Sequence, residues 1–125
     1  MREEARILVV DDEEEVRQMV AEFLEARGYS VITAATGFEA LTAVKHYRPD
    51  LVLMDIMMPK MNGLETLQRI REIDRRVGFI MLTAVEDEAV AREAMQKEAY
   101  DYITKPLDFG YLELAIMTKL ARVER

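Results

Sequence analysis

Ile7-Leu8-Val9-Val10-Asp11-Asp12 is the stretch that decides the fold. A strand with one wet face alternates apolar and polar residues, so an unbroken apolar run ending in two acids reads as a strand covered on both faces. Outward from it, residues 13–27 carry Val16, Met19, Val20, Phe23 and Leu24 at helical spacing, and Gly28 stands where a C′ glycine ends a helix. Residues 29–33 read as a second strand. Thr36-Gly37-Phe38-Glu39 has the form of a capping box and opens a helix to about Tyr47, which Arg48-Pro49 closes. Residues 51–54 form a third apolar run, and a loop with Pro59 and Asn62-Gly63 leads to a helix carrying Leu64, Leu67 and Ile70. A strand over 79–82, a helix near 87–97, a strand over 100–103 and a last helix from about 108 complete the series.

Strict alternation of β and α units predicts an α/β fold with a parallel sheet between two helix layers, joined by right-handed crossovers. Five strands suggest a doubly wound, flavodoxin-like (βα)5 sandwich in the order 2-1-3-4-5. The 125 residues suit one domain, taken as 1–125. A composition 50% hydrophobic and 33% charged excludes a disordered acidic tail. Cysteine is absent, which fits a reducing compartment. No apolar run approaches the ~18 residues of a membrane span. Met1-Arg2-Glu3-Glu4 has no signal-peptide core behind it, so the expected location is the cytoplasm. Seventeen basic against 24 acidic residues, a net charge of -7, argue against nucleic-acid binding by the domain itself.

In a doubly wound sheet, ligands sit beyond the carboxyl ends of the strands, near the point where strand order reverses. The first strand ends in Asp11-Asp12, the third in Asp55, the fourth in Thr83 and the fifth in Lys105-Pro106; only the second, an expected edge strand, ends blandly in Ala34-Ala35. Each has an ordinary explanation alone. Asp12 with Glu15 forms an Asp-x-x-Glu cap pattern, Asp55 reads as a loop acid, Thr83 as a polar strand end, Lys105 as a surface lysine and Pro106 as a first-turn helix proline. Those explanations leave their common rim unaccounted for. Grouped carboxylates repel one another and call for a cation. An all-oxygen set suits Mg²⁺ better than zinc, since cysteine is absent and His46, the only histidine, lies late in a helix and far from the rim. A carboxylate at such a metal can attack phosphorus, with Lys105 and Thr83 supplying positive charge and a hydroxyl to the product.

The chain resembles the receiver domain of two-component response regulators over essentially its whole length. The resemblance rests on Ile7-Leu8-Val9-Val10-Asp11-Asp12, Asp55-Ile56-Met57-Met58-Pro59-Lys60-Met61-Asn62-Gly63, Thr83-Ala84 and Asp101-Tyr102-Ile103-Thr104-Lys105-Pro106. It implies that Asp55 is the phosphoacceptor, charged by a sensor histidine kinase or phosphotransfer protein. It implies that Asp12 binds Mg²⁺ directly, Asp11 through water, and the Met57 carbonyl completes the metal site. Thr83 and Tyr102 become the switch residues, Lys105 pairs with the phosphate, the Lys105–Pro106 peptide is cis, and Ala84 leaves room for the acyl phosphate. The implied partners are a kinase and a downstream effector or output domain, and self-catalysed phosphoryl chemistry replaces metabolic enzymology.

Two departures from the family pattern carry consequences. Glu98-Ala99 stands where Gly-Ala is usual, which puts the local helix end in question. Met57 and Val85 occupy the positions two after Asp55 and Thr83, and neither side chain can orient an attacking water. The last helix carries a core row, Leu112, Ile116 and Leu120, and a second row, Leu114, Met117 and Ala121. The second row reads either as a broad buried face or, with Tyr102, as a partner or phosphorylation-dependent dimer surface. Ala115 and Met117 replace arginines common in salt-bridged dimers of the family, so that symmetric dimer is not carried over. The competing readings are a scaffold independent of phosphorylation, an aspartate-nucleophile phosphatase, which would favour Asp-x-Asp over the adjacent Asp11-Asp12, and a flavin module, which lacks its phosphate loop here.

Overall fold

The strands β1 (Arg6–Val10), β2 (Ser30–Ala34), β3 (Leu51–Asp55), β4 (Gly78–Thr83) and β5 (Asp101–Thr104) form one parallel sheet in the order β2-β1-β3-β4-β5. The chain is seen here in a computed structural model that describes residues 4–84, 89, 92, 93, 96 and 101–121. Met1, Arg2 and Glu3, Val85, Glu98-Ala99, Tyr100 and most of the helix expected near 87–97 lie outside the described residues. The described helices are α1 (Glu14–Ala26), α2 (Gly37–Tyr47), α3 (Gly63–Ile73) and a last helix, α4 (Phe109–Leu120).

The apolar runs are continuous because both faces of the sheet are covered. Leu8, Val10, Val52, Met54, Phe79 and Met81 face one way and pack with Ala40, Val44, Leu64, Leu67 and Ile70 of α2 and α3. Ile7, Val9, Leu51, Leu53, Ile80 and Leu82 face the other way and pack with Val20 and Leu24 of α1 and Leu112, Ala115 and Ile116 of α4. Neighbouring strand residues thus serve opposite layers, and each large side chain removed from water contributes about 1.5–3 kcal/mol. A one-residue register slip would exchange the two layers. The pairs Val10–Met54 and Asp55–Leu82 bring the strand ends to a common rim.

Helix ends refine the sequence reading. Gly28 does lie just past α1, with φ +92. Asp12, however, is no cap: the N-cap residue of α1 is Glu13, whose side chain makes no capping bond, and the Glu13 N–H donates to Asp11 Oδ1 at 2.9 Å. At α2, Thr36 Oγ1 accepts from the Glu39 N–H, but Glu39 reaches one residue further back, to the Ala35 N–H. The reciprocal capping box is instead at α3, between Asn62 and Glu65. Pro106 is no first-turn helix residue either, because α4 begins at Phe109 with Asp108 as its cap. The strands run about one residue later than expected at β2, which spans Ser30–Ala34, and the sheet extends to Thr83 at β4.

The last helix separates its two rows. Leu112 and Ile116 are fully buried and Leu120 packs against them. Leu114 is 60% and Met117 56% exposed, and Ala121 is also exposed, so the broad buried face is ruled out.

Candidate functional site

Three carboxylates meet where β1 and β3 end. Asp11, Asp12 and Asp55 each offer an oxygen within 4.8 Å of the others. Asp11 is completely buried, Asp55 is buried and Asp12 is exposed at the mouth. Lys105 reaches in from just past β5, with its Nζ 3.2 Å from Asp11 Oδ2 and 3.2 Å from Asp55 Oδ2. Its backbone is pinned as well, because the Lys105 N–H donates to the Thr83 carbonyl at 2.8 Å and so continues the β4–β5 ladder past Thr104. The Lys105–Pro106 peptide is cis.

Asp11 is held from every side: its N–H donates to the Ala34 carbonyl at 3.2 Å, and its Oδ1 accepts the Glu13 N–H. Asp55 Oδ1 accepts the Met57 N–H at 3.1 Å, while Oδ2 faces Lys105. Behind Asp55, α3 is drawn close. The Gly63 N–H donates to the Ile56 carbonyl at 2.8 Å, and a Cβ on Gly63 would lie 2.5 Å from the Asp55 carbonyl oxygen. Glycine is therefore required there by space. Thr83 is buried at the end of β4, with its hydroxyl donating to the Ala84 carbonyl at 3.3 Å. Tyr102 is half-buried against the α2–α3 side of the sheet. Met57 is 57% exposed.

Lys105 only partly offsets the cost of burying Asp55. An ion pair ordinarily lowers a carboxyl pKa, yet Asp55 is pushed up: burial raises it, Lys105 pulls it down, and the Asp11 charge adds to the rise. For Lys105, burial alone would favour the neutral amine, but the facing Asp55 and Asp11 carboxylates outweigh it and hold the ammonium above its ordinary value. Three acids against one ammonium leave a site short of positive charge. The donor set is all oxygen, part buried and part open, which fits a hard divalent cation that keeps waters.

Every rim residue singled out in the sequence sits at this end of the sheet, and Asp11, Asp12, Asp55 and Lys105 form one cluster. His46 is exposed in α2, its ring edge-on to Tyr47, and takes no part. Sequence reasoning missed Arg17, whose Nη1 donates to the Asp11 carbonyl at 2.8 Å. Helical spacing had a signal for it, because Arg17 lies one turn past Glu13 on the end of α1 that meets the rim. The close approach of Gly63 had none, since it depends on how α3 meets β3.

Residues 7–117 match the family model of the response regulator receiver domain. Among curated proteins, the chain is 41% identical over 120 residues to a probable transcriptional regulator, ycf27, of Porphyridium aerugineum, covering 96% of this chain and 50% of that one. The chain spans about half the length of most of the curated relatives it matches. A response regulator receiver domain protein from Clostridium thermocellum has a similar structure, with TM-score 0.90, 34% identity and coverage of 94% and 95% of the two chains. The CheX–CheY–BeF3–Mg²⁺ complex from Borrelia burgdorferi is also similar, with TM-score 0.86, 32% identity and coverage of 92% and 88%. The chain belongs to the response regulator receiver domain family, the phosphoacceptor signalling modules of two-component systems.

Proposed function

We propose that Asp55 is the residue that receives the phosphoryl group, within a Mg²⁺ site made by Asp11, Asp12, Asp55 and the Met57 carbonyl. The observation that carries this reading is the placement of Lys105 Nζ 3.2 Å from both Asp11 and Asp55 beside an exposed Asp12. That arrangement orients one buried carboxylate and leaves a polar mouth open to a donor. The similar CheX–CheY complex contains Mg²⁺ and BeF3, a group whose charge and shape resemble a phosphoryl group, and this supports a site for a metal and a phosphoryl group here.

Asp55 Oδ attacks the phosphorus of a phosphohistidine donor; the new O–P bond forms as the P–N bond breaks, and the leaving imidazole takes up a proton. A bound Mg²⁺ supplies charge stabilisation to the phosphoryl oxygens. Lys105 moves its donors from the free carboxylates to the phosphate, and Thr83 exchanges the Ala84 carbonyl for a phosphate oxygen. The space so vacated lets Tyr102 turn further inward. The outcome is read at the surface formed by β5, α4 and the helix that the sequence predicts near 87–97; on α4, Leu114 and Met117 are exposed. The partners we infer are a histidine kinase or phosphotransfer protein, a downstream effector or output domain, and a second copy on phosphorylation. We place the module in the cytoplasm, with no nucleic acid bound by residues 1–125 themselves; among the described residues, no helix is long and apolar enough to cross a membrane.

The scaffold and phosphatase readings explain the cluster less well: a scaffold needs no lysine shared between two buried acids, and a phosphatase needs a turnover group that Met57 does not provide. Incubation with acetyl phosphate should give one phosphoryl adduct by intact mass, lost on chelation of Mg²⁺ and absent from Asp55→Asn. An unchanged adduct in the variant, or steady phosphate release from many esters, would refute the proposal. The exposed, apolar Met57 also predicts slow self-dephosphorylation, with the adduct lasting minutes or longer; a lifetime of seconds would be the contrary result.

A further inference from the structure

Arg17 occupies a place that helix electrostatics disfavours. It is the fourth residue of α1, near the positive end of the helix, where acids and not cations are stabilised. Its Nη1 nonetheless reaches back over the helix end to the Asp11 carbonyl at 2.8 Å, in a half-buried setting. That carbonyl belongs to the peptide joining the two acids. Asp11 is already fixed through its N–H and both carboxylate oxygens, by Ala34, Glu13 and Lys105. The Arg17 bond fixes the remaining polar atom, and with it the plane from which Asp12 projects. Asp12 itself is exposed, and the N-cap residue Glu13 makes no side-chain capping bond, so beside the Asp11 Oδ1 bond to the Glu13 N–H the Arg17 contact is a second restraint on the turn.

We propose that Arg17 is a positioning residue for the divalent-cation site: it locks the Asp11–Asp12 peptide so that the Asp12 carboxylate is held toward Asp11 and Asp55. This inference rests on the Mg²⁺ site proposed above. Its consequence has a sign opposite to that of simple charge. Removing a cation that sits on the Asp11 carbonyl should by Coulomb's law tighten Mg²⁺ binding, whereas loss of a brace should weaken it. Partners that orient metal ligands from outside commonly change affinity by ~10–100-fold; a bond to the backbone of one ligand should sit at or below the low end of that range.

The test is a titration of the whole chain with MgCl2, followed by the backbone amide NMR shifts of Asp12 and Met57, for the parent, Arg17→Met and Arg17→Lys. Arg17→Met should raise the Mg²⁺ Kd by about threefold to tenfold. Arg17→Lys, which keeps a donor and the charge, should recover part of the loss. Unchanged or tighter binding by Arg17→Met, with only a lower melting temperature, would reduce Arg17 to a fold staple and overturn the inference. Should Arg17→Met fail to fold, Arg17→Gln carries the same readout, with weaker binding in support and equal or tighter binding against. A parent chain that binds no Mg²⁺ would instead overturn the metal-site reading, and the brace with it.

Discussion

Buried aspartates stand at opposite ends of the same sheet, and they do opposite things. At the amino end, Asp50 is 5% exposed and is absorbed by the backbone: its Oδ2 accepts the Arg6 N–H at 2.8 Å, its own N–H donates to the Arg6 carbonyl, and its carbonyl accepts the Gly78 N–H. It ties β1, β3 and β4 together at their starts. At the carboxyl end, Asp11 and Asp55 share one ammonium and lie within reach of a third acid. The first arrangement is closed, and the second is short of positive charge. A buried acid is thus a staple where the backbone satisfies it, and on the function proposed above it is a reaction site where acids outnumber their partners.

The sharpest way to break this comparison is to remove Lys105. Lys105→Met should slow phosphorylation of Asp55 by at least about a hundredfold, as expected for losing a preorganised charge at the reacting group, while the sheet stays folded by circular dichroism. A rate near the parent's would place the chemistry elsewhere. The complementary change, Asp50→Ala, should cost about 1–3 kcal/mol in denaturant unfolding, because it strands the Arg6 N–H, and leave the phosphorylation rate within about twofold. If it abolished phosphorylation instead, the two ends would not be independent.

A smaller effect concerns acidity. The folded-state pKa of Asp55 lies above its unfolded value, so the folded protein holds the proton more tightly. Ionisation of Asp55 therefore costs stability, absent below about pH 4 where both states are protonated, growing as pH rises through the folded value and complete above it. Asp55→Asn should melt a few degrees higher than the parent at pH 7, and the gap should close in melts carried toward pH 4. A variant less stable than the parent at pH 7 would mean that the Lys105 pairing outweighs burial.

Much of this was legible in the sequence, for reasons that particular residues make plain. The runs 7–10 and 51–54 announce a sheet covered on both faces, and the strand-end residues Asp11, Asp55, Thr83 and Lys105 follow from the parallel topology, since such a sheet collects all its carboxyl ends on one side. Local ambiguities were settled only by tertiary context. Asp12 with Glu15 looks like a cap, but the Glu13 N–H is taken by Asp11. Leu114 and Met117 fit a buried stripe by spacing, yet α4 needs only Leu112, Ala115 and Ile116 to cover its part of the sheet. Arg17 was easy to pass over as a site residue because its target is a backbone carbonyl, and only its place one turn past Glu13 marked it.

The central claim is that Asp55, and neither of the other two acids, carries the phosphoryl group. The most direct measurement is to phosphorylate the parent chain with acetyl phosphate and Mg²⁺, trap the acyl phosphate by borohydride reduction, and map the product by tandem mass spectrometry. The account predicts homoserine at position 55 alone. Homoserine at position 11 or 12, or none at any aspartate of a chain that shows an adduct, would contradict it.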